Sequence, residues 1–302
     1  MTKSILEIKS IAQLHEGLDF DKPKHPLVSI IDASKVRTPP EMVGQKIVSD
    51  MYMIALKDKS CGLEYGRNLY DFDEGVLIFT APGQSMTLTQ AHEPGEVNGW
   101  MLYFHPDLIR NSHLGTGISE YSFFDYDLHE ALHLSEDEER ALEDCVRKIE
   151  EEYEQRIDNH SQRVIISSIE LLLNYCLRFY ERQFNTRSSN HKDVVSQFEK
   201  LLKSYFDEHS PEINGLPSPQ FFAEHIHLSP HYLSDLLKKE TGRTAKDHIN
   251  DFVIEKAKNL LLATNDSVSE IAYNLGFNYP HYFTRVFKSK TGITPVEYRS
   301  LN

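Results

Sequence analysis

Basic residues are scarce in this chain: across 302 amino acids, 32 Lys and Arg stand against 46 Asp and Glu, a formal net charge of −14. Taken whole, that balance argues against a nucleic-acid binder. Cysteine is nearly absent. Cys61, Cys145 and Cys176 are odd in number and widely spaced, with no C-x-x-C, so they read as reduced thiols rather than a disulfide framework. No apolar run approaches the length of a membrane span, and the opening stretch MTKSILEIKSIAQLHE lacks the apolar core and small-residue cleavage site of a secretory leader. A cytoplasmic protein is expected. A nucleophile elbow, a Walker loop and a dinucleotide fingerprint are also missing, and no enzyme is expected.

What is present begins with an ordinary globular composition, 40% hydrophobic and 26% charged, which excludes disorder over the whole chain. The length suits two domains. The charge is divided unevenly between them. From Leu216 to the end there are 10 Lys and Arg against 9 Asp and Glu, a balance of +1, while the remainder holds 22 against 37. The acidic excess therefore lies outside the last third of the chain.

The first ~130 residues predict strands and turns. Apolar, β-branched runs at Lys46–Leu56 and Gly75–Phe79 are broken by turn signals at Lys57–Gly62, Ala81–Gly83 and Glu93–Gly95, and Trp100–His105 predicts one more buried strand. Short strands punctuated this often predict a sandwich or small barrel. From Ser135 the period changes. Ser135 and Glu138 form a capping-box pattern, and Leu142, Cys145, Val146, Ile149, Tyr153 and Ile157 recur at helical spacing. A second helix is predicted over Ser161–Gln183, with Ile165, Ile169, Leu172, Leu173, Cys176, Leu177 and Tyr180 on one side. Such a stripe covers the β domain or a partner chain; its width favours the partner, and residues 1–184 are expected to self-associate through it. The segment Asn185–Lys192, polar and rich in Ser and Asn, predicts a linker. A helix over Asp193–Glu208 and a proline-rich loop at Ser210–Pro219 follow.

An internal repeat with a spacing of 50 residues dominates the C-terminal third. Pro230-His231-Tyr232 recurs as Pro280-His281-Tyr282, Lys238 as Lys288, Thr241-Gly242 as Thr291-Gly292, and Thr244 as Thr294; Ala223 answers Ala272, with one extra residue in the second turn. Each unit reads as a short helix, a tight turn and a longer helix ending at a glycine, over about 219–242 and 268–292. The small alanine allows a close crossing, and Leu228 or Phe277 in the turn pins it. The second helix then projects with its outer side chains free to meet base edges in a major groove. Between the units, Thr244–Ala263 predicts a linker helix with Ile249, Val253, Ala257 and Leu260/Leu261 on one stripe. Two projecting helices on one rigid connector suit successive major grooves of double-stranded DNA, about 34–36 Å apart.

The stretches LSPHYLSDLLKKETG and SVSEIAYNLGFNYPHYFTRVFKSKTGITPVEYR resemble the DNA-binding domain of the AraC/XylS family of bacterial transcription regulators, over about a third of the chain. EGVLIFTAPGQ and GWMLYFHPDLI are more loosely similar to that family's cupin-like sensing domain. The resemblance implies an α+β protein of two domains. Residues 1–184 would form a cupin-like β-barrel with flanking helices, for sensing and dimerisation; 185–192 would be a linker; 193–302 would be an all-α domain with two helix-turn-helix motifs. It also implies a homodimer that binds promoter or operator DNA, answers to a small-molecule effector and, as an activator, contacts RNA polymerase.

Base contacts in the family come from positions that here are His231, Ser234 and Asp235 in the first recognition helix, and His281, Thr284 and Arg285 in the second. Tyr232, Lys238, Tyr279, Tyr282 and Lys288 complete the expected DNA-facing set. Asp235 stands where relatives often carry Arg; an acid there repels phosphate and is able to accept a hydrogen bond from cytosine N4. Val253 stands where many members carry Arg. Tyr52, Phe79, Trp100 and Tyr103, with Arg67 in the loop YGRNLY, are the effector-site candidates, although core packing is the better account of most of the aromatics and a solvated surface position suits Arg67 equally well. Strict alternation sends Trp100 and Phe104 to one face and Tyr103 to the other. His92-Glu93, His105, His113, His129 and His133 lack metal-ligand spacing, so neither a metal nor a cofactor is expected, and an enzymatic cupin lacks its ligands.

Overall fold

The computed structural model describes residues 5–58, 75–88, 90–127, 130–155, 158, 160–208, 211 and 215–301. The chain divides into two units, Met1–Arg187 and Ser188–Asn302.

In the first unit the chain runs β1 (Leu6–Ile8), α1 (Ile11–Gly17), β2 (Val28–Asp32), β3 (Lys46–Ser49), β4 (Tyr52–Asp58), β5 (Gly75–Thr80), β6 (Ser85–Thr87), β7 (Gly99–Phe104), α2 (Pro106–Ile109), α3 (His113–Gly117), β8 (Leu132–Leu134), α4 (Glu136–Glu154) and α5 (Ser161–Thr186). The apolar run at Lys46–Leu56 is two strands, broken at Asp50–Met51. Five strands pair antiparallel in the order β2-β7-β4-β5-β8. A second sheet, β1-β3-β6, joins β1 and β3 in parallel and β3 and β6 antiparallel.

Register decides what each face buries. Leu56 pairs with Trp100, Ile54 with Leu102 and Phe79, and Tyr52 with Phe104, so these side chains share one face. Helix α5 lies on that face, where the rings of Phe79 and Tyr180 meet at 6.1 Å. On the other face Ile31, Met53, Ala55 and Tyr103 join Ile11, Leu14, Val36 and Met51 in a separate cluster.

Neither sheet closes among the described residues, so the expected barrel is replaced by open sheets. The reason is layering: helices cover one face of the five-stranded sheet, while on the other the α1 cluster covers Ile31, Met53, Ala55 and Tyr103, and Ala131 packs on Val76 and Ile78, so all six residues of β5 are buried. Apolar strands thus lose water on both sides without curling into a cylinder.

Ser135 and Glu138 form the capping box at the start of α4, and Leu142, Cys145, Val146, Ile149 and Tyr153 are its buried stripe; Ile157 lies outside the described residues. The expectation for α5 is corrected. Ile165, Ile169, Leu172, Leu173 and Cys176 are wholly buried within their own chain, because α5 packs on α4 and β8. A wide stripe is what a helix needs when it faces a sheet and a neighbouring helix together, so it is not left for a partner. Burial raises the pKa of the Cys145 and Cys176 thiols and keeps them protonated; Cys61 lies outside the described residues.

The polar segment Asn185–Lys192 is helical on either side of Arg187, since α6 (Ser188–Glu208) begins one residue after that break. Polar composition without glycine or proline does not break a helix, and this segment has neither.

The second unit continues with α7 (Pro219–Ile226), α8 (Pro230–Thr241), α9 (Ala245–Ala263), α10 (Val268–Asn274), α11 (Pro280–Thr291) and α12 (Pro295–Leu301). One apolar cluster runs through all of it. Phe198 of α6, Phe222 and Ala223 of α7, and Leu233 and Leu237 of α8 meet Ile249, Val253 and Ala257 of α9, then Ile271 and Ala272 of α10 and Phe283 and Phe287 of α11. The two alanines are fully buried at the helix crossings, Phe277 is buried in the second turn, and Leu228 packs against the cluster from the first. No helix among the described residues is long and apolar enough to cross a membrane.

Candidate nucleic-acid interface

The two longer helices of the repeat, α8 and α11, are built alike. Each has twelve residues, proline in its first turn and a left-handed glycine at its C-terminus, Gly242 with φ 78° and Gly292 with φ 83°. Each buries the same side: Leu233 and Leu237 in α8, Phe283 and Phe287 in α11. The opposite side of α8 therefore carries His231, Ser234, Asp235 and Lys238, and that of α11 carries His281, Thr284, Arg285 and Lys288. These are spacings of three, four and seven along one helical face. His231, Lys238, His281, Arg285 and Lys288 are exposed, whereas Ser234, Asp235 and Thr284 are half-buried.

Tyr232 does not join this face. At 3% exposure it belongs to the packed side of α8, one residue away from His231 and so turned by about 100°. Tyr282 is half-buried beside Phe277, and the Arg285 guanidinium lies 5.1 Å from its ring centre. Tyr279 stands out at 64% exposure, its ring 5.5 Å from that of His281. Ser229 caps α8 by accepting from the Tyr232 N–H; α11 has no such side-chain cap.

The two turns solve one problem differently. Four residues after the crossing alanine the backbone is left-handed in both, at His227 (φ 60°) and at Gly276 (φ 90°). Only the second needs glycine for space. A Cβ on Gly276 would stand 2.7 Å from the Gly215 carbonyl carbon, and the Leu216 N–H donates to the Gly276 carbonyl at 3.1 Å. The Tyr205 hydroxyl in turn donates to the Gly215 carbonyl at 3.0 Å, so α6 is tied to the second turn through main-chain atoms.

A polar node missed in the sequence joins the far ends of α8 and α11 to α9. Arg243, just past the Gly242 cap, lies 2.9 Å from Asp251, and Lys290 reaches both Asp251 and Asp247. Hydrogen bonds from Thr244, followed by Lys290, hold the Asp247 carboxyl below the usual range, and Asp251 raises the Lys290 ammonium. Only its Asp247 corner had a local signal: Thr244-x-x-Asp247 and Thr294-x-x-Glu297 extend the repeat into the caps of α9 and α12.

Of the effector candidates, Tyr52, Phe79 and Trp100 share one face of the five-stranded sheet. Tyr52 stacks on Phe104 at 4.9 Å and meets Phe124 at 5.0 Å; Phe79 meets Phe123 at 4.3 Å. Trp100 shares their face. Tyr103 lies on the opposite one, where burial pushes its phenol up to about 12. Arg67 lies outside the described residues. Among the histidines, His92 meets the Thr38 hydroxyl at 3.0 Å, His105 caps α2, His113 faces Glu170 and His133 is buried in β8; His129 lies outside the described residues.

Residues 222–300 match the model of a helix-turn-helix domain family. The chain is 44% identical over 79 residues to the HTH-type transcriptional regulator YfiF of Bacillus subtilis, covering 26% of this chain and 25% of that protein. It is 38% identical over 78 residues to the arabinose operon regulatory protein of Salmonella typhimurium, covering 26% and 28%. Among solved structures, the C-terminal domain of the two-component response regulator yesN from Fusobacterium nucleatum is 34% identical, covering 33% of this chain and 96% of that one at a TM-score of 0.30. The chain thus spans about a quarter of the length of these two curated relatives. The matched residues build both repeated helix-turn-helix units, so the second unit carries an AraC-type helix-turn-helix domain.

Proposed function

We propose that the chain regulates transcription by binding promoter or operator DNA in a sequence-specific manner. The observation that carries this reading is the pair of matching faces on α8 and α11, held by one apolar cluster that runs through the connecting helix α9. Two such faces on one rigid frame suit successive major grooves on one side of a duplex. Lys238, Arg285 and Lys288 supply cations to the faces, and the helix geometry aims their side chains outward. The near-neutral charge of the unit makes base contacts, rather than bulk attraction, the main source of affinity.

The same reading assigns the first unit to regulation. A small-molecule effector bound there would bias the DNA-bound arrangement, which requires different affinities for the two states. A homodimer and, for an activator, contact with RNA polymerase complete the proposal, on the strength of the resemblance to the AraC/XylS family.

Selection of genomic fragments by the full-length chain, followed by sequencing, tests it. A recurrent motif with two parts about one helical turn apart is the expected result. Recovery of fragments in proportion to input would sink the reading.

A further inference from the structure

We propose that the two recognition helices read opposite partners of the G·C pair from the same structural position: Arg285 reads guanine, and Asp235 reads cytosine. This rests on the reading that α8 and α11 enter major grooves.

Asp235 and Arg285 are 50 residues apart, the period of the repeat. Their helices have the same length, start at proline, end at a left-handed glycine, and are anchored at equivalent positions by Leu233 and Leu237 or by Phe283 and Phe287. Each of the two residues lies four positions after a histidine and three before a lysine. The backbone therefore offers both side chains the same place on the face, and what differs is charge.

The chemistry of the groove then selects the base. Guanine presents only acceptors there, O6 and N7, which suit the two parallel donors of a guanidinium. A carboxylate has only acceptors to offer and is repelled by guanine. Thymine adds an O4 acceptor and a methyl group, and adenine places its N6 donor beside the N7 acceptor. Cytosine alone presents an N4 donor without a neighbouring acceptor on the same base. Arg285 is steadied for its task by the Tyr282 ring at 5.1 Å. The half-buried Asp235 stays close to its helix, in keeping with a single hydrogen bond to one base edge.

Such an arrangement makes the operator directional. A protein with like residues at both places would read two similar half-sites; this one distinguishes them, so a single protomer has one preferred orientation on its site.

Selection from a random duplex pool, using the full-length chain and its Asp235→Asn and Asp235→Ala variants, tests the inference. The wild type is expected to select one position in the α8 half-site for cytosine, by about tenfold over other bases. In Asp235→Asn that position alone changes to adenine, whose N6 and N7 suit an amide. In Asp235→Ala it alone loses its preference. The same motif in wild type and both variants overturns the inference, as does a uniform rise in affinity for all sequences in Asp235→Ala, which would make the carboxylate a mere repeller of phosphate. A wild type that selects no motif overturns the DNA-binding reading itself. Thermal melting of each variant confirms that it is folded, and either variant alone is enough to separate these outcomes.

Discussion

Lys290, in the last turn of the second recognition helix, sets its ammonium 2.8 Å from the Asp251 carboxylate of the connecting helix. Both groups are only partly buried, so solvent screens the pair. Lys290→Met is expected to cost about 0.5–1 kcal/mol in urea denaturation. The loss should shrink at 1 M salt, with a Debye length of about 3 Å. A loss that salt leaves unchanged would assign Lys290's contribution to packing of its stem.

The same node predicts a pH window. Asp247 has a lowered folded pKa, so its contribution is present above the ordinary value of about 3.9 and is lost as pH falls through the folded value. Lys290 has a raised one, so its contribution is present below about 10.4 and is lost as pH rises through the folded value. The stability difference between wild type and Lys290→Met should therefore be flat from about pH 5 to 10 and shrink beyond both ends. A difference that varies steeply near pH 7 would mean that another group controls the node.

Gly276→Ala is expected to destabilise the second unit by about 2 kcal/mol or more, because the new Cβ strikes main-chain atoms and the backbone is left-handed. Gly242→Ala is the control. It has a similar φ but nothing within 4 Å of its Cβ position, and should cost about 1 kcal/mol. Equal losses in calorimetry would show that the close approach to Gly215 carries no energy.

Arg285→Ala and Lys288→Ala should weaken DNA binding in different ways. The first would remove the proposed base contact, costing about 1–3 kcal/mol on the best site and little on random duplex. The second would remove a proposed phosphate contact, weakening all sequences alike and lowering the salt slope by about one. Fluorescence anisotropy at several salt concentrations separates them, and identical behaviour of the two variants would contradict the assigned roles.

Leu172→Ala, deep in the α5 stripe, should cost about 2–5 kcal/mol of stability. Its mass by light scattering should equal that of the wild type at the same concentration. A reduced mass with unchanged stability would return the stripe to a partner chain. Self-association through α5 would otherwise have to use its outer side, where Val164 and Leu171 are each 42% exposed.

The repeat was legible in the sequence because its signals are local: prolines that start helices, glycines that end them, and alanines small enough for a crossing. The opposite faces of Trp100 and Tyr103 followed from strand alternation for the same reason. What was not legible depended on partners far along the chain. Whether β5 closes a barrel or lies between two layers is decided by Tyr180 of α5 on one side and Ala131 on the other, and whether the α5 stripe is covered is decided by α4 and β8. Tyr232 read as a groove residue because its neighbours are, while the core on the other side of α8 claims it. The node at Lys290 needed Asp247 and Asp251 to be seen as one cluster with a helix about 40 residues later.

The tie between Leu216 and Gly276 is made by main-chain atoms, and the frame of the two recognition helices rests on it and on residues that never meet solvent. The outward side chains of α8 and α11 lie outside that cluster. Changes among them leave the apolar frame itself untouched, so a gene duplicate would reach a new operator by steps on the outer face alone. The opposed charges at Asp235 and Arg285 are what divergence between two once-identical halves would leave behind on such a scaffold.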